Sequence, residues 1–117
     1  MGDQVLQRIG SLLIGAVESV AGSVHSFPAR LGGEEFLLVL DDVTPSAALD
    51  RLDGLRRSIR SVPWAQLTGG QPVTVSIGVA GTEGTEHVTA VEVLGLADQR
   101  LYAAKRRGRD RVVSSSR

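Results

Sequence analysis

Five consecutive apolar residues, FLLVL at 36–40, follow directly on Gly-Gly-Glu-Glu in the stretch PARLGGEEFLLVLDD, residues 28–42. A strand with no polar face has to be buried on both sides, so the rest of the chain must supply cover above and below it. The paired glycines are a turn signal between two strand-like segments, 27–31 and 36–41, and predict an antiparallel hairpin.

Helical periodicity supplies the cover. Val5, Leu6, Ile9, Leu12, Leu13, Ala16, Val17 and Val20 fall at i, i+3, i+4 spacing, with Asp3 where an N-cap belongs and Gly22 as a stop. Thr44 and Pro45 open a second helix as cap and first residue; Ala48, Leu52, Leu55, Ile59 and Val62 trace its stripe and Pro63 ends it. Arg51, Arg56, Arg57 and Arg60 lie mainly off that stripe. VTVSIGVA, residues 73–80, alternates large and small side chains and predicts a strand with a close neighbour on one face. Thr89 and Glu92 form a capping-box pattern for a third helix, with Leu94, Ala97, Leu101 and Ala104 as its stripe, Gly108 as its stop and RVV as a last short strand.

This order of elements is an α+β pattern, with helices packed on a mostly antiparallel sheet. At 117 residues and 42% hydrophobic content the chain is expected to form one domain over residues 1–113, with a frayed tail at 114–117.

Thirteen basic and thirteen acidic side chains cancel, so no global field draws the protein to nucleic acid or an anionic membrane, and recognition of a charged ligand has to be local. The cluster KRRGRDR has only Tyr102 nearby, too few aromatics for base stacking. The absence of cysteine removes disulfides and thiolate chemistry. His25 and His87 have no ligating neighbours at zinc spacing, and no P-loop pattern is present. The apolar stretch at 9–20 is interrupted by glycine, serine and glutamate, so no membrane segment or signal peptide is expected. A cytoplasmic location is the default.

The hairpin tip itself can do chemistry. Two glycines let the backbone approach a ligand closely, and Glu34 and Glu35 bring carboxylates to the same place. Adjacent strand residues point to opposite faces, so one glutamate can face a ligand, where it would suit a hard cation such as Mg²⁺. The plain alternative is a solvated turn. Likewise Asp3 can be a simple cap, and Lys105 and Arg109 simple complements to a helix C-terminus.

RLGGEEF, VTVSIGVA and LADQRLYAAKRRGRDRV, with GDQVL at residues 2–6, together resemble the GGDEF domain of diguanylate cyclases in order and spacing. The resemblance implies a nucleotidyl-cyclase-like fold with a ferredoxin-like core. It implies condensation of two GTP molecules, one held by each domain of a homodimer, to cyclic di-GMP, with Mg²⁺ or Mn²⁺ as cofactor. By the same resemblance Glu34 is metal ligand and candidate base, and Gly32, Gly33 and Glu35 complete the loop. Asp3 becomes the acceptor for the guanine edge, and Lys105 and Arg109 the cations on the triphosphate.

The pattern also departs from the family. The family's first strand and helix, with an Asp-x-Asp/Phe-Phe-Lys stretch and an Asn-Asp pair, precede its Gly-Asp, which stands here at residues 2 and 3. The expectations that follow are a sheet lacking its first central strand, edges prone to strand exchange, and weak or absent cyclase activity for this chain alone. A non-catalytic nucleotide- or protein-binding module is the alternative. Ser23 and Ser26 occupy the positions of the family's inhibitory Arg-x-x-Asp, so product inhibition through that site is not expected.

Overall fold

The computed structural model describes residues 3–18, 27–32, 35–39, 44–71, 73–81 and 89–114. Helix α1, Asp3–Glu18, buries Val5, Leu6, Ile9 and Leu13 and exposes Gln4, Gln7, Arg8 and Ser11. The i, i+3, i+4 spacing thus becomes one apolar stripe. Asp3 is the first helical residue rather than the one before it, a difference within the usual spread of helix boundaries. The expected stop at Gly22 lies outside the described residues.

Strands β1, Phe27–Gly32, and β2, Glu35–Val39, form the expected antiparallel hairpin. Phe27 pairs with Val39 and Arg30 with Phe36, and the register then slips so that Gly32 pairs with Glu35. Leu31 is the extra residue, a bulge that twists the tip away from the flat ladder.

Helix α2, Pro45–Ser61, starts as its sequence predicts: the Thr44 hydroxyl accepts from the Ala47 amide at 3.1 Å, and Pro45 occupies the first turn. Its buried residues are Leu52, Leu55 and Ile59. Pro63 follows Val62, the C-cap, and turns the chain so that Trp64 folds back, its indole N–H donating to the Ile59 carbonyl at 2.7 Å. A one-turn helix α3, Ala65–Thr68, ends at Gly69, whose φ is 70°. Val5, Ile9 and Leu13 of α1 meet Leu55, Ile59, Trp64 and Val73 in the central core.

The predicted strand at 73–80 is a ladder only at β3, Ile77–Gly78, which pairs in parallel with β4, Val112–Val113. β4 is two residues long, so it offers no ladder partner to residues 73–76. Hydrogen bonds from the Ile77 amide to the Arg111 carbonyl and from the Val79 amide to the Val113 carbonyl, each 2.9 Å, extend the contact slightly.

Helix α4, Ala90–Arg106, is the crossover that a parallel pair requires. The Thr89 hydroxyl caps the Glu92 amide at 3.1 Å and donates to the Glu92 carboxylate at 3.2 Å, completing the predicted partnership through side chains. Of the predicted stripe, Ala104 is buried and Ala97 and Leu101 are half-buried, but Leu94 is 43% exposed. The short β3 and β4 lie against the later turns of α4 and leave Leu94 in the open.

The fold class is therefore α+β. Its strands form one antiparallel and one parallel pair, and among the described residues no ladder joins the two. Helix α2 connects the halves, packing on α1 at one side and on β4 at the other.

Candidate functional site

The sequence-predicted site residues fall on two groups of elements. Asp3 begins α1, which packs on α2 and β1. Gly32 ends β1 and Glu35 begins β2, facing each other as the last pair of the ladder. Gly33 and Glu34, the residues between them, lie outside the described residues. Of the described residues, the Gly32–Glu35 pair ends the ladder, just after the bulge at Leu31.

Lys105 and Arg109 stand at the other group, around the C-terminal end of α4, and both are exposed. The helix ends in a Schellman arrangement, with the Arg109 amide donating to the Ala104 carbonyl at 2.9 Å and Gly108 at φ 120° making the reversal. This ending sets Lys105 in the last turn and Arg109 just beyond it. Cations suit such a position because the unpaired carbonyls of the last turn carry partial negative charge. Arg106 leans on Tyr102, its guanidinium carbon 5.5 Å from the ring centre.

The backbone after Gly108 is unusual. Arg109 has φ 65° and Asp110 φ 46°, so two residues with side chains follow one another in the left-handed region. Asp is among the few side-chain-bearing residues that enter it with some ease.

Asp110 is also the centre of a charge network that sequence reasoning missed. Its Oδ1 accepts from Arg56 Nη1 at 2.8 Å and its Oδ2 from Arg60 Nη1 at 3.0 Å, both arginines being on α2. Arg56 Nε in turn donates to Asp53 Oδ1 at 2.9 Å. Hydrogen bonding to Arg56 is the main cause that holds the Asp110 carboxyl below the ordinary carboxylate range; partial burial opposes it and Arg60 adds to it. Asp53, then Asp110, hold the Arg56 guanidinium above its ordinary value. The sequence carried one faint signal: Arg56 and Arg60 sit at i and i+4, so they share a face of α2.

Glu34, the metal ligand expected from the family resemblance, lies outside the described residues. Among the described residues, no group of three or more His, Asp or Glu side chains is placed to hold a metal ion. No described helix is long and apolar enough to cross a membrane.

Residues 1–111 match the family described as "Diguanylate cyclase, GGDEF domain". The chain is 33% identical to the response regulator PleD of Caulobacter vibrioides over 118 residues, covering 99% of this chain and 25% of that protein. It is 37% identical to the diguanylate cyclase DgcP of Pseudomonas aeruginosa over 111 residues, 95% of this chain and 16% of that one. Among solved structures, the active GGEEF domain of a diguanylate cyclase from Vibrio cholerae superposes with a TM-score of 0.78 at 29% identity, covering 95% of this chain and 66% of that one. The GGDEF domain of DgcB from Caulobacter crescentus, in complex with c-di-GMP, gives a TM-score of 0.72 at 30% identity over 96% and 66% of the two chains. The chain thus spans a quarter or less of the length of these two curated relatives. With a family match over nearly its whole length and the same fold in these neighbours, the chain belongs to the GGDEF family of diguanylate cyclase domains.

Proposed function

We propose that this chain recognises GTP in the manner of a diguanylate cyclase domain and contributes to making cyclic di-GMP. The observation that carries this reading is the bulged hairpin closing at Gly32 and Glu35 around the Gly33-Glu34 link, within a chain that matches the family over residues 1–111.

In the proposed reaction each GTP is held by one copy of the domain. The 3′-hydroxyl of each nucleotide attacks the α-phosphate of the other, forming a P–O bond and expelling pyrophosphate, so two GTP yield one cyclic di-GMP and two pyrophosphates. Phosphoryl transfer of this kind is governed by positioning and charge stabilisation. Gly32 and Gly33 allow close approach of backbone to nucleotide. Asp3 accepts hydrogen bonds from the guanine edge, and Glu35 completes the loop. Lys105 and Arg109 neutralise triphosphate charge. A divalent ion, Mg²⁺ or Mn²⁺, held by Glu34 would supply Lewis-acid polarisation of the phosphate. Glu34 is also the candidate base for the 3′-hydroxyl proton.

The test separates binding from turnover. Purified chain is titrated with GTP and Mg²⁺, then incubated with GTP and Mg²⁺ or Mn²⁺ and analysed by chromatography for cyclic di-GMP. GTP binding weakened by Glu34→Gln supports the site. Product that the same substitution abolishes supports catalysis by this chain, and binding without product supports a nucleotide-binding module. Failure to bind GTP with either ion sinks the reading.

A further inference from the structure

We infer that the ion pair between Arg56 and Asp110 is a positioning device, holding the cationic end of the nucleotide site in place against α2. This rests on the proposed role of Arg109 on the triphosphate.

Three observations lead to it. First, both carboxylate oxygens of Asp110 are engaged from α2, by Arg56 at 2.8 Å and by Arg60 at 3.0 Å. The Asp110 carbonyl also accepts from Arg56 Nη1 at 3.4 Å, so the same guanidinium touches side chain and backbone of one turn residue. The Arg56 side chain is only 14% exposed and is held from its other side by Asp53, which makes it a fixed anchor rather than a waving surface arginine.

Second, the turn needs an anchor. Gly108, Arg109 and Asp110 have φ of 120°, 65° and 46° in succession. A side-chain-bearing residue enters this region at a cost and stays there when surrounding contacts over-determine it. The Schellman bond to Ala104 fixes the amide of Arg109, but the residue that follows is fixed by Arg56.

Third, the pair lies on the connection between the two groups of site residues. Helix α2 packs on α1, which begins with Asp3, and on β4, which follows the turn. The exposed Arg109 guanidinium has no partner among the described residues. Its placement relative to Asp3 is therefore set by the backbone at 108–110, and that backbone is tied to α2 by Asp110. Arg56 and Asp110 need not touch nucleotide to matter: a cation displaced by about 1 Å loses much of its effect on a reacting phosphate.

The experiment compares GTP with GMP, which lacks the β- and γ-phosphates, by titration of the 117-residue chain in Mg²⁺. The variants are Arg109→Ala, Arg56→Ala and Asp110→Asn, together with the double variant of Arg56 and Arg109. Arg109→Ala should weaken GTP on the order of tenfold and GMP little. Arg56→Ala and Asp110→Asn should reproduce that selective loss, and Arg56→Ala should add nothing once Arg109 is removed. Arg56→Lys, which restores a cation facing Asp110, should recover part of the GTP affinity.

Equal losses for GTP and GMP, or full additivity with Arg109→Ala, would show a merely structural pair and overturn the inference. No change on Arg56→Ala while Arg109→Ala weakens GTP would overturn it as well. No effect of Arg109→Ala, or no GTP binding by the unaltered chain, would instead bring down the reading beneath it, and the inference with it. Should Arg56→Ala fail to fold, Asp110→Asn and Arg56→Lys carry the same comparison. Amide hydrogen exchange at residues 109–111 gives a nucleotide-free check: it should quicken in Asp110→Asn, and unchanged exchange there counts against the clamp.

Discussion

Gly78 in β3 lies directly under α4, so close to Ala97 that a β-carbon on Gly78 would collide with the Ala97 carbonyl oxygen. The same added carbon would strike the Leu101 amide nitrogen. Both obstacles are helix backbone, which cannot swing aside. Gly78→Ala should therefore push α4 off the strand and cost about 1–3 kcal/mol, as overpacking does. Gly95→Ala is the control: Gly95 is mid-helix with nothing within 4 Å of an added β-carbon, so it should raise stability by about 0.5–1 kcal/mol. Urea unfolding of the two variants beside the parent checks both signs.

Ile59 has no exposed surface and sits where α1, α2 and Trp64 meet. Ile59→Ala should cost about 2–5 kcal/mol, removing buried methyl groups and leaving a cavity. Trp64 is the single tryptophan, and its indole N–H is bonded to the Ile59 carbonyl. Its fluorescence on denaturant titration is a direct readout, and a loss under 1 kcal/mol would contradict this account of the core.

Asp110 should make stability fall in acid. Its folded-state pKa lies below that of the unfolded chain, chiefly through Arg56. The stabilisation is thus fully present above the unfolded value of about 3.9 and is lost as pH falls through the folded one. At pH 7 Asp110→Asn should cost about 1 kcal/mol, since the pair is part-buried and partly screened. Below about pH 3 the gap between variant and parent should narrow. Thermal melts across that range test it; a constant gap would mean the charge on Asp110 does not matter. Arg56 stays protonated throughout and adds no pH dependence of its own.

If Lys105 neutralises phosphate, Lys105→Ala should weaken GTP binding and reduce its dependence on salt, because one fewer exposed cation is screened. Titrations at two ionic strengths measure this. An unchanged salt dependence would return Lys105 to the plain role of a cation at a helix C-terminus.

Much of the architecture was legible because local rules and tertiary packing agree. Thr44 with Pro45, Thr89 with Glu92, and Gly108 mark helix ends through hydrogen bonds a few residues long, and the structure keeps all three. The hairpin is equally local, although the bulge at Leu31 is not written in its composition. Leu94 went astray because periodicity tells which residues share a face, not whether another element covers that face. The strand at 73–80 shrank for a related reason: a ladder needs a partner, and β4 pairs with only Ile77 and Gly78.

The residue types and their order were enough to name the family, because each motif is contiguous along the chain, and the resemblance then put forward Gly32, Gly33, Glu34, Glu35, Asp3, Lys105 and Arg109 as candidate site residues. Arg56 and Asp110 stand 54 positions apart, and no local pattern links an arginine off the apolar stripe of α2 to an aspartate beyond α4. Only the folded packing of α2 against β4 brings them to 2.8 Å. The physical division follows from range: propensity, capping and turn chemistry act over a few residues and can be read in order, whereas charge pairing and close approach depend on distances that exist only after folding.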